Sequence, residues 1–129
     1  MQVVIFNIGK EKYALETRIV HGIEKMMNIT KVPTAPYYVS GLANLRGNII
    51  SVIDLKKYLN IISNNQCENI IIVEVKDEKI GLMVDSVQEV VDVEDEIIEK
   101  INNDNNLIKG VINFKEYIVT LIDGENLLK

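Results

Sequence analysis

Residues Gly41–Leu55 read GLANLRGNIISVIDL, and much of this stretch returns later in the chain as GVINFKEYIVTLIDG, at Gly110–Gly124. At one constant offset the matched pairs are Gly41 and Gly110, Asn44 and Asn113, Ile49 and Ile118, and Asp54 and Asp123. The runs NIISVI and EYIVTLI are rich in β-branched residues, which is typical of strands. The stretch therefore predicts a strand-containing unit that the chain carries twice.

A second pair of matching blocks precedes the two copies. VVIFNIGKEKYALETRIVHGI (Val3–Ile23) aligns with IIIVEVKDEKIGLMVDSVQEV (Ile70–Val90), again at a constant offset. Self-similarity in the same order is the signature of an internal repeat. We predict one domain, residues 1–129, made of two units at about residues 3–59 and 70–128, with a linker at about 60–69. Because units this short bury little surface alone, the halves should share an interface with pseudo-two-fold symmetry.

The pattern inside each unit is that of short strands separated by turns. VVIFNI and NIIIVEV are each followed by a polar turn and another apolar stretch, which predicts two hairpins. Ile29 and Lys31, with two prolines after them, favour a further strand and then an extended loop. Asp54 and Asp123 each end a β-branched run, where a carboxylate suits the N-cap of a short helical turn. The fold class is therefore mainly β, with two small barrels and short helical turns.

The charge balance excludes one class of partner. Lys and Arg number 14 against 19 Asp and Glu, giving a net charge of −5. A protein that neutralises phosphates needs a basic face, so nucleic acid is not expected as a partner. The apolar runs are far shorter than the roughly 20 residues of a membrane span, so direct membrane insertion is not expected either. The single cysteine forms no internal disulfide, and a cytoplasmic location is the simplest expectation.

The inventory of reactive residues is sparse. His21 is the one histidine and lacks a second histidine or a cysteine nearby in sequence to share a metal. Cys67, in SNNQCEN, has no basic neighbour to lower its pKa. No glycine-rich phosphate loop is present, and the acidic run DVEDEIIE lacks the spacing of a calcium loop. We therefore predict a chain that is not an enzyme, with no catalytic residues, metal site or cofactor.

Comparing the copies separates scaffold from candidate site. The shared residues are assigned to the scaffold: Asn44, Ile49, Asp54, Gly110, Asn113, Ile118 and Asp123. Leu45-Arg46-Gly47 is replaced in the second copy by Phe114-Lys115-Glu116. Gly47 is therefore assigned to a tight turn or a close backbone approach needed only in the first unit. Three interpretations of Arg46 stay open: a solvated turn residue, a phosphate or substrate ligand, or an anchor for a protein partner.

ITKVPTAPYYVSGLANLRGNIISVIDL, followed by IIIVEV, GLMVDSVQEV and YIVTLID, resembles the CheW family of bacterial chemotaxis adaptors, from about Val3 to Leu128. The resemblance implies two five-stranded, SH3-like β-barrels. It also implies a non-catalytic scaffold of signal transduction. Such a scaffold couples the cytoplasmic tip of a transmembrane chemoreceptor (a methyl-accepting chemotaxis protein) to the regulatory domain of the histidine kinase CheA, within membrane-associated receptor arrays.

The resemblance also nominates residues. In the family a receptor helical hairpin docks in an apolar groove between the barrels, with the arginine of NLRG on that side. Carried over by position, this nominates Arg46, Val20, Ile23 and Gly41 as receptor-side residues, and it leaves the kinase-binding residues unknown.

Two departures from the family pattern stand out: Gly22 replaces a usual glutamate, and Ser51 replaces a common proline, which reads as a tolerated edge-strand change. The alternative function is a CheW-like interaction module for another receptor–kinase pathway, in motility or development. A small ligand-binding or enzymatic barrel is disfavoured by the sparse histidine and cysteine content.

Overall fold

A computed structural model describes residues 1–101 and 106–127 of the chain. The strands are β1 Gln2–Ile8, β2 Glu11–Glu16, β3 Val20–Lys25, β4 Val39–Leu45, β5 Asn48–Asp54, β6 Asn69–Val75, β7 Glu78–Val84, β8 Ser86–Asp92, β9 Ile98–Lys100, β10 Ile108–Asn113 and β11 Ile118–Ile122. One short helix, α1, spans Leu55–Tyr58, and 3₁₀ turns occupy Thr17–Ile19, Asp95–Ile97 and Gly124–Asn126. No helix in this described part has the length and apolarity needed to cross a bilayer. The predicted mainly-β class with short helical turns is confirmed.

The strands form two sheets of nearly identical design. Sheet A has the order β8-β1-β2-β11-β10-β9, and sheet B has the order β3-β6-β7-β5-β4. Neighbours are antiparallel except for β2 with β11 and β5 with β7, which are parallel. The hairpins β1–β2 and β6–β7, predicted from their polar turns, are both present.

The two units exchange their first hairpins. Strands β1 and β2, from the first unit, lie in sheet A among β8 to β11, whereas β6 and β7, from the second unit, lie in sheet B among β3 to β5. Neither barrel is therefore built from one unit alone. The boundaries of the sequence units, 3–59 and 70–128, stay a prediction from the sequence pattern. Leu128, the last residue of the second unit, lies outside the described residues.

This exchange buries β1 and β6 on both faces. One face of each strand packs into the small core of its own sheet, and the other packs into a central core between the sheets. The residues toward the sheet cores are Val3, Ile5, Ile70 and Ile72, and those toward the central core are Val4, Phe6, Ile71 and Val73. Strands buried on both sides read as continuous apolar runs, which explains VVIF and IIIV.

Equivalent positions of the two units meet in the central core. The matched buried pairs are Val4 and Ile71, Phe6 and Val73, Leu15 and Leu82, and Ile53 and Ile122. These side chains are at most 2% exposed, so the contact is a true core rather than a loose interface between domains, and truncating one of them to alanine should cost about 2–5 kcal/mol. Its composition from matched residues agrees with the predicted pseudo-two-fold arrangement.

The sheets differ at one strand. In sheet A, β9 pairs with β10, but at the corresponding place in sheet B an isolated bridge joins Thr30 to Leu42. The prediction of a strand around Ile29 and Lys31 is therefore wrong, because this segment forms only the single bridge at Thr30. Ile29 nevertheless packs against the core of sheet B together with Met26 and Met27.

The repeated glycines of β4 and β10 mark close backbone approaches. A Cβ added at Gly41 would lie 2.1 Å from the Thr30 carbonyl oxygen, and one at Gly110 would lie 2.5 Å from the Glu99 carbonyl oxygen. The strand register also shifts at both glycines. Only a residue without a side chain fits at either position.

Asp54 and Asp123 cap the short helical turns that follow β5 and β11. The Asp54 carboxylate accepts a hydrogen bond from the Lys57 amide at the start of α1. The Asp123 carboxylate accepts from the Glu125 amide at 3.1 Å. The N-cap position predicted for each carboxylate is therefore confirmed.

A buried carboxylate, Asp85, fastens three segments together. Its Oδ2 accepts from the Gly9 amide at 2.6 Å and from the Asn65 side chain at 3.2 Å, and its Oδ1 lies 4.0 Å from Lys56 Nζ. These contacts tie the β1–β2 turn, the segment after α1 and α1 itself to the end of β7. The repeat gives no signal for this residue, because Arg18 occupies the matching position in the first unit.

Cys67 lies beside this carboxylate, with its Sγ 3.9 Å from Asp85 Oδ1. Burial raises the pKa of the Cys67 thiol to about 11, and the nearby Asp54 and Asp85 charges add to the effect while Lys56 opposes it. The thiol is therefore held in its neutral form at physiological pH, as expected for an inert cysteine.

We expect Gly41→Ala to destabilise the protein far more than Gly47→Ala. The first substitution adds a backbone clash to an unfavourable positive φ of 148°, for a cost of at least about 3 kcal/mol. At Gly47 the φ is also positive, at 88°, but no atom lies within 4 Å of the added Cβ, so about 1 kcal/mol is expected. Urea denaturation measures both, and equal losses would contradict the close approach at Gly41.

We expect Cys67 to alkylate slowly. A thiol pKa raised from 9.0 to about 11 lowers the thiolate population at pH 8 about 100-fold relative to an unperturbed cysteine. The iodoacetamide rate should be lower by that factor in the native protein than in the same chain unfolded in urea, and it should rise with pH up to about 11. Equal native and unfolded rates would contradict the burial of this thiol.

Candidate partner-binding surface

Arg46 and Gly47 are the two central residues of the turn between β4 and β5. Leu45 pairs with Asn48 across the hairpin, and both central residues have positive φ, 51° and 88°. Two positive φ values are characteristic of the type I′ hairpin turn, which favours glycine at its second central position. The Gly47 amide donates to Asn44 Oδ1 at 2.8 Å, which braces the turn. Of the two reasons considered for Gly47, the geometry matches the tight turn.

The Arg46 side chain reaches from this turn to the opposite edge of sheet B. Its Nη2 lies 3.2 Å and 3.3 Å from the two carboxylate oxygens of Glu24, on β3. The Arg46 side chain is 73% exposed, whereas that of Glu24 is 23% exposed. Because β3 and β4 are the two end strands of the sheet, the ion pair joins its ends.

β3 presents two different faces. Val20 lies opposite Val73 and Ile23 opposite Ile71, and these two partners belong to the central core. Val20 and Ile23 therefore lie on the face of β3 that meets the other barrel, with Ile23 exposed. Glu24 pairs with Ile70 and lies on the other face.

β8 repeats this arrangement in sheet A. Val87 lies opposite Phe6 and Val90 opposite Val4, again toward the central core, and Val90 is exposed. We name these four edge-strand side chains, Val20, Ile23, Val87 and Val90, the apolar rim. Of these four, the family resemblance nominated only Val20 and Ile23. The repeat alignment matches these residues with Val87 and Val90, so the sequence did contain a signal for the two residues of the second barrel.

A single asparagine joins the two edge strands. The Asn69 side-chain nitrogen donates to the Glu24 carbonyl oxygen at 3.3 Å, and its oxygen accepts from the Val87 amide at 3.3 Å. Strands β3 and β8 therefore approach each other across the boundary between the sheets. The apolar rim thus takes side chains from both barrels, on two edge strands that Asn69 bridges.

The four nominated receptor-side residues are not one cluster. Val20 and Ile23 share the apolar rim, whereas Arg46 contacts the Glu24 side of the same strand. Gly41 is buried within β4, against Thr30, and has no side chain to offer a partner.

The exposure of Ile49 and Ile118 corrects their assignment to the framework. Ile49 is 66% exposed and Ile118 is 59% exposed, so neither contributes much to a core. Both lie at the start of the strand after a hairpin turn, at matching positions in the two barrels. Each is a single exposed apolar side chain at an equivalent place in its barrel, so neither belongs to the buried framework.

The second barrel ties its corresponding turn to its edge strand by a different chemistry. Tyr117 OH accepts from Gln88 Nε2 at 3.2 Å and donates to Glu89 at 3.4 Å, both on β8. The Lys12 ammonium lies 5.1 Å from the centre of the Tyr117 ring. An aromatic and polar network therefore takes the place of the Arg46–Glu24 ion pair.

Ser51 is not on an edge strand. β5 lies between β4 and β7, and Ser51 pairs with Leu42 on one side and Ile80 on the other. The interpretation of Ser51 as an edge-strand change is therefore wrong. A strand bonded on both sides favours serine over proline, because serine keeps its backbone N–H.

The remaining candidates for chemistry are dispersed. His21 Nε2 lies 2.8 Å from a Glu74 carboxylate oxygen on β6. Across residues 1–101 and 106–127, no three histidine, cysteine or acidic side chains gather as a group that could hold a metal ion.

Residues 2–129 match the family model described as the CheW-like domain. The chemotaxis protein CheW of Helicobacter pylori is 30% identical over 135 residues, covering 100% of this chain and 82% of the relative. The CheW protein of Bacillus subtilis is 29% identical, covering 98% of this chain and 86% of the relative.

A solved structure agrees with these matches. The crystal structure of the scaffolding protein CheW from Thermoanaerobacter tengcongensis superposes with a TM-score of 0.91 at 34% identity, covering 99% of this chain and 87% of that one. These relatives are named as chemotaxis or scaffolding proteins and none as an enzyme, in agreement with the predicted absence of catalysis. With its match over residues 2–129 and its two-sheet architecture, the chain belongs to the CheW family.

Proposed function

We propose that this protein is a chemotaxis scaffold that couples the cytoplasmic tip of a transmembrane chemoreceptor to the regulatory domain of the histidine kinase CheA. The observation that carries the proposal is the apolar rim, formed by both barrels at their edge strands. An apolar surface continuous across two barrels suits a helical partner with an apolar stripe. Family membership supports the same function.

The receptor contact combines the apolar rim with Arg46. Val20 and Ile23 supply apolar area beside the central core, and Val87 and Val90 extend that area onto the second barrel. Arg46 supplies an exposed guanidinium on the edge of the first barrel, and arginine is enriched among residues that dominate binding energy. Gly41 contributes by holding β4 against Thr30 rather than by touching the receptor.

Signalling by such a scaffold requires no reaction at the scaffold itself. Receptor and kinase bind different parts of one two-barrel body, so a shift in the receptor changes how firmly the kinase is held. This is a coupling free energy between two binding sites. The protein acts in the cytoplasm and reaches the membrane-associated arrays through its partners, where multivalency strengthens individually modest contacts.

A second candidate is a CheW-like module serving another receptor–kinase pathway, in motility or development. It is favoured by Gly22, which leaves β3 without a side chain next to Glu24, the residue that contacts Arg46. A receptor-tip peptide from each pathway, tested in parallel pull-downs, separates the two candidates.

We expect Arg46→Glu to weaken binding of a receptor signalling-tip peptide about tenfold or more, because it removes an exposed arginine, a residue type enriched at binding hot spots, and reverses the charge at that position. Folding and binding of the CheA regulatory domain should be unchanged, since Arg46 is mostly solvent-exposed. Lys115→Glu, at the matching turn of the second unit, is the charge-matched control. If Arg46→Glu lowered the thermal stability and weakened both interactions equally, Arg46 would instead be a structural residue. If the unsubstituted protein bound neither partner at roughly tens of micromolar, the proposed function would be contradicted.

We expect Ile23→Asp and Val90→Asp each to weaken receptor-tip binding about tenfold, because each puts a charge into an apolar contact. Both side chains are only partly exposed in the free protein, at 40% and 47%, so the free energy of unfolding should fall by about 1–2 kcal/mol with the fold retained. Ile62→Asp, at a fully exposed isoleucine after α1, is the control and should bind normally. Rim variants that bind as tightly as this control would exclude the apolar rim as the receptor surface.

A further inference from the structure

Gly22 and Glu24 share one face of β3. They lie opposite Ile72 and Ile70, two residues of the sheet B core. A Cβ added at Gly22 would lie 3.3 Å from Glu24 Oε2, which is tighter than nine in ten real Cβ contacts, so the carboxylate would have to shift by a few tenths of an ångström. The Glu24 side chain therefore folds back along the strand. Its carboxylate lies close to the space that the side chain of a larger residue at position 22 would occupy.

In this folded-back position Glu24 holds one end of the Arg46 guanidinium. Both carboxylate oxygens face Nη2, at 3.2 Å and 3.3 Å. The guanidinium has five N–H donors, and only Nη2 is engaged within the described residues. The donors on Nε and Nη1 are left to face solvent on a side chain that is 73% exposed.

We propose that Glu24 is a positioning residue for Arg46, and that Gly22 is the residue that permits it. Glu24 restricts a long side chain to one arrangement, and the free Nε and Nη1 donors then meet an acceptor on the receptor. This inference rests on the proposed function, because it describes how the receptor contact is prepared.

The expected size of the effect follows from side-chain ordering. Immobilising one long side chain on binding weakens affinity by about three- to tenfold, and an arginine already held by Glu24 avoids most of that loss. The same ion pair contributes little to folding, because its arginine end is largely exposed to solvent and screened. Positioning is therefore separable from stability: binding should change while the unfolding midpoint does not.

Gly22 makes the geometry testable in both directions. Gly22→Ala should shift the Glu24 carboxylate by a few tenths of an ångström and loosen its contact with Arg46, a smaller effect than that of Glu24→Gln because both charged residues stay in place. The double variant G22E/E24Q should recover the function, because a carboxylate at position 22 projects from the same face toward the same space. Recovery by a relocated carboxylate would not occur if Glu24 served only to fill space.

The experiment measures two quantities on the full chain: affinity for a receptor signalling-tip helical-hairpin peptide, and the NMR signal of the Arg46 Nε–Hε group in the free protein. We expect E24Q to weaken binding about three- to tenfold, G22A to weaken it by less, and both to shift the Arg46 signal in the same direction. The pair G22A/E24Q should lose no more than E24Q alone. G22E/E24Q should bind within about twofold of the unsubstituted chain, and Glu78→Gln, an exposed charge-matched control on β7, should be neutral.

Two results overturn the inference: E24Q binding as tightly as the unsubstituted chain, or E24Q weakening binding further in an Arg46→Gln background. If the unsubstituted chain fails to bind the peptide, the proposed function is overturned, together with the receptor part of this inference. The spectra of the free protein still test the other part of the inference, which is that Glu24 positions the Arg46 side chain. An Arg46 signal that shifts alike in E24Q and G22A supports the coupling of Gly22, Glu24 and Arg46, and an unchanged signal rejects it.

Discussion

The burial of β1 and β6 on both faces is the constraint on which the structure depends. Each strand belongs to a hairpin that lies among the strands of the other unit, so one face packs into a sheet core and the other into the central core. Neither barrel can be completed without a hairpin from the other unit. We therefore regard the two barrels as one cooperative body, as the proposed coupling between two partners would require.

The same exchange creates the proposed receptor surface. Because β1 and β6 occupy inner positions, β8 and β3 become the edge strands beside them, and Asn69 joins these edges at the boundary between the sheets. The apolar side chains on those edges extend the central core to the surface, where a partner helix can cover them. The proposed binding surface is thus the exposed margin of the interface that holds the protein together.

The two barrels have become different at equivalent places. Each hairpin turn contacts the edge strand at the opposite end of its sheet, but the first does so through the Arg46–Glu24 ion pair and the second through the Tyr117 network. A conserved architecture with different polar chemistry gives a partner a way to distinguish the two ends of a pseudo-symmetric molecule. Asp85 adds a further asymmetry, since its buried contacts have no counterpart at Arg18.

The sequence by itself determined the mainly-β class, the two hairpins and the N-caps at Asp54 and Asp123, because strand composition, turn chemistry and capping are local properties. Its motifs also identified the family. The tertiary structure alone decided which unit supplies each hairpin, that Ser51 lies in an inner strand, that Ile49 and Ile118 are exposed, and that Glu24 meets Arg46. These features depend on contacts between residues distant in the chain. A strand's composition shows that it will pair, but its neighbours are chosen by the packing of the whole core.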